Sequence, residues 1–332
     1  MADGVWIETD DKSIDSMTTL VGDLAVTVII ISYHSHNDLL RCLSALGASN
    51  YNNFRVVIVE NGGAEAHAQT AALVPVVLGG GQAVKTICAP GNLGYAGGIN
   101  LGVSAAPGGD AYWILNPDTA PDPGALSAMV ARLQRGDVDA VGCTLIDPEG
   151  RVAARAGGRW TRAGARVIAI GMGEDKASDG DVAAIEAALG YISGASILVS
   201  ARWIATVGAM REDYFLYCEE IEWCLRASAA GIAMGYAPRA LVFHEAGTTT
   251  GSGNSQATMS RLSAYLNARN RVLLAGDQPG GASPGSRWLI AAHLLVRFGK
   301  RRAWSVMRHA LAGWTAGMCG ERGIPQWMGR AE

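Results

Sequence analysis

The sequence predicts an α/β fold, a mostly parallel sheet flanked by helices, followed by a C-terminal helical appendage. Three observations carry that expectation. Continuous runs of β-branched and apolar residues recur along the first half of the chain, as in strands buried on both faces. Longer segments of helical periodicity separate them, which is the alternation of βαβ units. Charge is also divided: residues 1–286 hold 19 basic and 28 acidic side chains, whereas residues 287–332 hold 8 basic and 2 acidic, with four of the nine tryptophans. The totals, 49% hydrophobic and 17% charged over 332 residues with net charge −3, exclude a mainly disordered chain.

The elements follow in order. Residues 1–24 are acidic and polar, lack the basic flank and apolar centre of a signal peptide, and are expected to form a flexible tail. Val26–Ile31 is the first strand. Ser35-x-x-Asp38 then offers a capping-box-like start, Leu39, Leu40, Leu43 and Leu46 an apolar face, and Gly47 a stop, which together predict a helix. Further strands are expected at Arg55–Glu60, Val84–Ala89, Ala111–Asn116 and Val138–Leu145, and a helix opens at Asp122-Pro123, with proline in its first turn. Residues 150–188, with their glycines, arginines and a polar DKASDGD segment, read as a loop across the active face. Order returns at Tyr191–Ser200, followed by an acidic helix start near Tyr217–Arg226 and a strand near Ala240–His244. A Gly/Thr/Ser loop at Gly247–Gly253 and a helix through Leu262–Leu274 close a domain spanning 25–275. Residues 276–286 have linker composition, and 287–332 form a basic, tryptophan-bearing pair of amphipathic helices with Lys300-Arg301-Arg302 between them.

The six cysteines are scattered, with neither a disulfide framework nor paired CxxC spacing, so a reducing, cytosolic setting is expected. No run approaches the ~20 apolar residues of a membrane-spanning helix.

In an open α/β sheet, ligands bind outside the carboxyl ends of the strands, so polar clusters following strands are the candidates. They are Ser32-Tyr33, Glu60-Asn61-Gly62-Gly63, the glycine-rich Gly91–Asn100, and Asn116-Pro117-Asp118-Thr119. The glycine loop reads either as tight packing or as backbone approach to a phosphate or sugar. Its spacing is not GxGxxG, which disfavours a dinucleotide site. Asp118 beside Asn116 reads as a turn or as the carboxylate that a hard divalent cation and a diphosphate need. Glu219, Glu220 and Glu222 read as a dipole-favoured helix start or, behind the aromatic Tyr214-Phe215-Leu216-Tyr217, as a desolvated general base. His244 reads as a core histidine or, at a strand end, as a metal ligand.

Taken together, VTVIIISYHSHNDLLRCLSAL, VVIVENGG, GNLGYAGGIN, WILNPDT, YISGASILVS, DYFLYCEEIEWCLRASAAG and FHEAGTTTG resemble, in order and spacing, family 2 glycosyltransferases, nearest their rhamnosyltransferase-like branch, over residues 25–275. The resemblance implies a GT-A fold, Rossmann-like, and transfer of a sugar from a nucleotide diphosphate donor with inversion. It places Ser32 and Tyr33 at the nucleobase, with Glu60 where an Asp is usual, and Asn92, Gly94 and Asn100 in the loop over the nucleoside and sugar. Asn116-Pro117-Asp118 takes the DxD position, so Asp118, completed by His244, would bind Mg²⁺ or Mn²⁺, with Asn116 on the ribose. Glu220 is implied as the base, supported by Glu219 and Arg226, and Arg269-Asn270 matches an RN pair that is structural or at the acceptor side. The implied donor is dTDP-L-rhamnose, with a UDP-sugar as the alternative. The implied acceptor is a hydroxyl of a cell-surface glycan or lipid-linked saccharide. A non-catalytic sugar-nucleotide binder is the reading from another class; a nucleotidyltransferase is disfavoured because Ser32-Tyr33-His34 stands where a triphosphate loop would be. No nucleic-acid partner is expected. The basic tail, residues 287–330, reads either as packed helices or as a peripheral contact with anionic lipid, so the expected location is cytoplasmic or on the inner face of the cytoplasmic membrane.

Overall fold

A computed structural model describes residues 23–161, 166–245, 259–278 and 284–328; the expected tail to residue 22 and the Gly247–Gly253 loop lie outside them. The chain opens with β1 (Val26–Ser32), α1 (His36–Gly47), β2 (Phe54–Glu60), α2 (Gly63–Leu73), β3 (Val84–Cys88), α3 (Gly94–Ser104) and β4 (Ala111–Leu115). It continues through β5 (Thr119–Pro121), α4 (Ala125–Leu133), β6 (Ala140–Ile146), β7 (Val152–Arg155), β8 (Gly157–Thr161), β9 (Arg166–Ala169), α5 (Val182–Ala188) and β10 (Tyr191–Ile192). Then come β11 (Ser196–Ser200), α6 (Ala201–Val207), a 3₁₀ turn at Glu212–Tyr214, α7 (Glu219–Ala229), β12 (Met234–His244), α8 (Arg261–Asp277), α9 (Pro284–Gly299) and α10 (Trp304–Met318).

The strands are continuous apolar runs because both sheet faces are covered. Along β1, Val28 and Ile30 pack beneath α1 and α4, while Ile29 and Ile31 pack toward α3, α6 and α7. The main sheet has the order β3-β2-β1-β4-β11-β6-β12-β5, with β7 paired to β6. Pairing is parallel for β1 with β2 and β4, for β2 with β3, and for β6 with β12, whereas β11 runs antiparallel between β4 and β6. The carboxyl ends of β1, β2, β3, β4, β6 and β12 therefore share one edge. The chain steps outward from β1 to β3 and returns to lay β4 against the other side of β1, so a crevice opens between those two strands.

The expected loop over residues 150–188 instead holds three strands and a helix: β7 joins the main sheet, β8 pairs with β9 and with β10 in a small second sheet, and α5 packs beside β12. Its strands are four or five residues long, and β9 leaves Val167 and Ile168 exposed, so none reads as a long apolar run buried on both faces. Ser35 is the N-cap of α1, but its hydroxyl makes no capping bond and lies 3.3 Å from the Ser32 hydroxyl. The last strand begins at Met234, earlier than expected, because a register shift between Ala237 and Leu241 carries it past Pro238.

Residues read as a linker are helical at both ends, closing α8 and opening α9. The α8 helix is buried on nearly every side, and α10 crosses it closely enough that a Cβ on Gly313 would meet the Tyr265 carbonyl oxygen at 2.0 Å and one on Gly317 the Arg269 carbonyl oxygen at 2.7 Å. Ile290, Leu294 and Phe298 from α9 and Val306 and Ala310 from α10 close a core with Ala264, Ala268 and Val272 of α8. Among the described residues, no helix is long and apolar enough to cross a membrane.

Candidate active site

A cavity of about 400 Å³ lies at the carboxyl edge, in the crevice between β1 and β4. Its side toward β5 and β12 is set by strand register. Antiparallel pairing puts Thr119 opposite His244, and the Glu245 amide donates to the Asp118 carbonyl at 3.1 Å. Asp118 and His244 are thereby brought together, with Nε2 3.3 Å from Oδ1. Asn116 lies on the same wall.

The opposite side is the segment from Phe215 to Glu220. Phe215, Tyr217 and Cys218 all have positive φ, at 65°, 74° and 72°, a conformation that costs side-chain-bearing residues energy and must be held from outside. Asn270 holds it. Its Nδ2 donates to the carbonyls of Tyr214, Leu216 and Tyr217 at 2.9, 2.7 and 2.8 Å, while Arg269 donates to the Tyr214 carbonyl and to Asn270 Oδ1. Both side chains are fully buried, so the Arg269-Asn270 pair is a scaffold for this turn. Gly94 supports it from the other flank: at φ +72°, a Cβ there would meet the Phe215 carbonyl oxygen at 2.1 Å. The glycine loop is tight packing and cavity wall at once, since Asn92 and Gly94 also line the cavity.

The turn delivers Glu219 and Glu220 to the start of α7. Glu219 is 2% exposed, and burial, then the Glu220 charge, push its carboxyl well above the usual range. Burial also raises Glu220, but backbone amides of its own residue, Ile221 and Cys218 oppose the rise. The two carboxyls therefore titrate as a coupled pair. Three buried oxygens or carboxylate atoms of cavity residues have no hydrogen-bond partner among the described residues: Asn61 Oδ1, Asn116 Oδ1 and Glu219 Oε2. Such groups are costly unless a bound molecule or water satisfies them.

Of the residues expected at the site, Tyr33, Asn92, Gly94, Asn116, Asp118, Glu219, Glu220 and His244 line this cavity. Four do not. Ser32 is buried against Ser35. Glu60 accepts from the Gly62 amide at 3.0 Å and the Thr70 hydroxyl at 2.8 Å, fastening α2. Asn100 exchanges two bonds with the Met210 backbone, and Arg226 binds Glu222 and the Val207 and Ala209 carbonyls. Sequence reading gave no role to Asn61, Tyr95 or Gly194. Asn61 follows Glu60 in sequence, and its Nδ2 ties the Gly94 carbonyl at 2.8 Å; the alternation of side chains at a strand end was the available signal. Tyr95 donates to the Gly194 carbonyl, which holds the strand-connecting turn beside Glu220.

The family described as Glycosyl transferase family 2 matches residues 27–170, from β1 through β9, including the Asn116-Pro117-Asp118 wall. Residues 27–170 carry a family 2 glycosyltransferase domain. The chain is similar to two rhamnosyltransferases. It is 26% identical over 305 residues to the N-acetylglucosaminyl-diphospho-decaprenol L-rhamnosyltransferase of Mycobacterium tuberculosis, covering 83% of this chain and 94% of the relative. It is 35% identical over 86 residues to rhamnosyltransferase WbbL of Escherichia coli, 25% of this chain and 32% of that one. Among solved structures, mannosyltransferase PcManGT of Pyrobaculum calidifontis, in complex with GDP-Man and Mn²⁺, superposes with a TM-score of 0.58 at 14% identity, covering 93% of this chain and 91% of its own. That likeness fixes the fold of the glycosyltransferase as GT-A.

Proposed function

We propose that this glycosyltransferase moves a sugar, L-rhamnose from dTDP-L-rhamnose, onto a hydroxyl of a lipid-linked or cell-surface glycan, inverting the anomeric carbon. The observation that carries the reading is one cavity with Asp118 and His244 on one wall and Glu220 on the other. The names of the relatives support the choice of rhamnose and of a lipid-linked acceptor.

A hard carboxylate oxygen and an imidazole nitrogen 3.3 Å apart, next to the unpartnered Asn116 Oδ1, are a donor set suited to Mg²⁺ or Mn²⁺. Among the described residues no third His, Cys, Asp or Glu joins them, so Asp118 and His244 would hold the cation together with donor phosphate oxygens. Bound there, a divalent cation supplies positive charge for the diphosphate that leaves. Glu220 faces the reacting carbon from across the cavity. Its carboxylate takes the acceptor hydroxyl proton as the new C–O bond forms, while the bond from the anomeric carbon to the phosphate oxygen breaks and its electron pair departs with the nucleoside diphosphate. Asn61 and Asn116 are placed to satisfy their buried oxygens on donor hydroxyls or amides, and Phe215, Leu216 and Tyr217 exclude water.

The test is a screen of dTDP- and UDP-sugars for thermal stabilisation and for release of nucleoside diphosphate, with Mn²⁺ or with chelator. Asp118→Ala should abolish the metal-dependent stabilisation. Glu220→Gln should lower turnover by about 10³-fold while donor affinity stays within about twofold. Full turnover of Glu220→Gln would refute the assignment of the base.

A further inference from the structure

The turn Ser193-Gly194-Ala195 joins β10 to β11, and all three of its residues line the cavity. It is attached to both walls. At Ala195 the carbonyl accepts from the Asn116 amide at 3.0 Å, which ties the turn to the wall that carries Asp118. At Gly194 the backbone faces the stem of Glu220: a Cβ built there would lie 3.4 Å from both Cβ and Cγ of the glutamate and 3.5 Å from Cε1 of Tyr95. The glutamate stem and the phenol ring thus close on the glycine together, which is a close approach that only a residue without a side chain leaves open.

Tyr95, the second residue of α3, bonds at both of its ends. Its amide donates to the Phe215 carbonyl at 2.8 Å, inside the positive-φ turn that delivers Glu220, and its hydroxyl donates to the Gly194 carbonyl. One residue therefore fastens the turn that precedes the base and the turn against which the base rests. The single hydroxyl proton is committed to that carbonyl. Burial, then the charges of Glu219, Glu220 and Asp118, hold the phenol neutral well above the ordinary tyrosine range, so this bond persists wherever the glutamate is ionised.

We infer that Tyr95 is a positioning residue that sets the separation between the Glu220 carboxylate and the Asp118 wall. The inference rests on the transfer reaction proposed above and adds the device that spaces the base from the leaving group. In-line attack places the acceptor oxygen and the departing diphosphate on opposite sides of one carbon, and a misplacement of about 1 Å can cost about 10²-fold in rate. Strand pairing fixes the Asp118 wall, whereas Glu220 follows a strained turn and takes its place from what is packed and bonded around it. Tyr95 and the Ser193–Ala195 turn form the continuous link from one wall to the other.

Tyr95→Phe keeps the ring and removes one hydrogen bond. In the full chain it should bind dTDP or UDP in Mn²⁺ within about twofold of wild type, while kcat for donor hydrolysis falls by about tenfold or more at unchanged KM. A tyrosine with a merely structural role would lower the melting temperature and leave kcat, measured well below the melt, as it was; that result overturns the assignment. In the Glu220→Gln background the same change should cost nothing further, because no base remains to be misplaced, and a full additive loss would also overturn it. Crystal structures of wild type and Tyr95→Phe supply a readout without turnover. The Glu220 carboxylate should move by about 1 Å or more relative to Asp118. An unmoved carboxylate sinks the spacing role even if no donor tried is turned over, so failure here is distinguishable from failure of the donor screen.

Discussion

At the scale of single residues, the site depends on groups that are expensive to bury. Glu219 is the clearest case. Its folded carboxyl holds its proton more tightly than in the unfolded chain, so the folded state binds more protons and wild-type stability must fall as pH rises from the ordinary carboxylate range through the raised value. Glu219→Gln removes that penalty. Its melting temperature should exceed wild type by a margin that grows as pH rises above the ordinary carboxylate range; thermal melts showing a constant or shrinking margin would contradict burial of the ionising group. Asn270 makes the complementary case. Replacing its amide donor with a carboxylate, in Asn270→Asp, sets a negative charge against the carbonyls of Tyr214, Leu216 and Tyr217 and should cost about 3 kcal/mol or more in denaturant melts. Asn270→Ala should cost less than the aspartate. Sequence alone pointed to the carboxylates and to Asp118 and His244, which the structure brings to one cavity, because strand ends announce them. It did not separate residues that face the cavity from neighbours that fasten backbone: Glu60 and Asn61 differ by one position, and only the side each faces decides which binds Thr70 and which lines the site.

At the scale of elements, legibility followed burial. β1, β2, β4 and β6, apolar runs in the middle of the sheet, were read within about two residues, whereas β7, β8 and β9, partly solvent-facing and broken by Gly157, Gly158 and arginines, have no period to read. The crossing of α10 over α8 was hidden for another reason. Gly313 and Gly317 lie one turn apart in α10, and what they require is absence of a side chain where the Tyr265 and Arg269 carbonyls approach, which no hydrophobic pattern reports. Gly313→Leu should therefore push α10 from α8. The expected loss is about 3 kcal/mol, with Arg269 and the Phe215–Tyr217 turn disturbed in consequence, so donor affinity should fall along with stability. Leucine at Gly299, where a Cβ meets nothing within 4 Å, serves as the control and should leave donor affinity unchanged.

At the scale of the whole molecule, the uneven charge acquires a location. The basic C-terminal stretch is not separate from the candidate site: Arg322 pairs with Asp213 and Asp277, the Gly323 carbonyl accepts from Arg269, and Met328 lines the cavity that holds Asp118 and Glu220. With the inner faces of α9 and α10 packed on α8, their outer faces leave Trp288 60% and Trp304 61% exposed, beside Leu289, Leu295 and Val296, with Lys300-Arg301-Arg302 in the intervening turn. Indoles and basic side chains on one surface are what an interface with anionic lipid requires, the indoles contributing burial and each cation about 1 kcal/mol near such a surface. The full chain should accordingly co-sediment with vesicles rich in phosphatidylglycerol and not with phosphatidylcholine alone. The triple change Lys300→Glu, Arg301→Glu, Arg302→Glu should reduce that binding by about tenfold or more, as should high salt, with the hydrolysis of donor in detergent unaffected. Undiminished sedimentation of the triple variant, or equal binding to neutral vesicles, would leave these helices as packing for α8 alone.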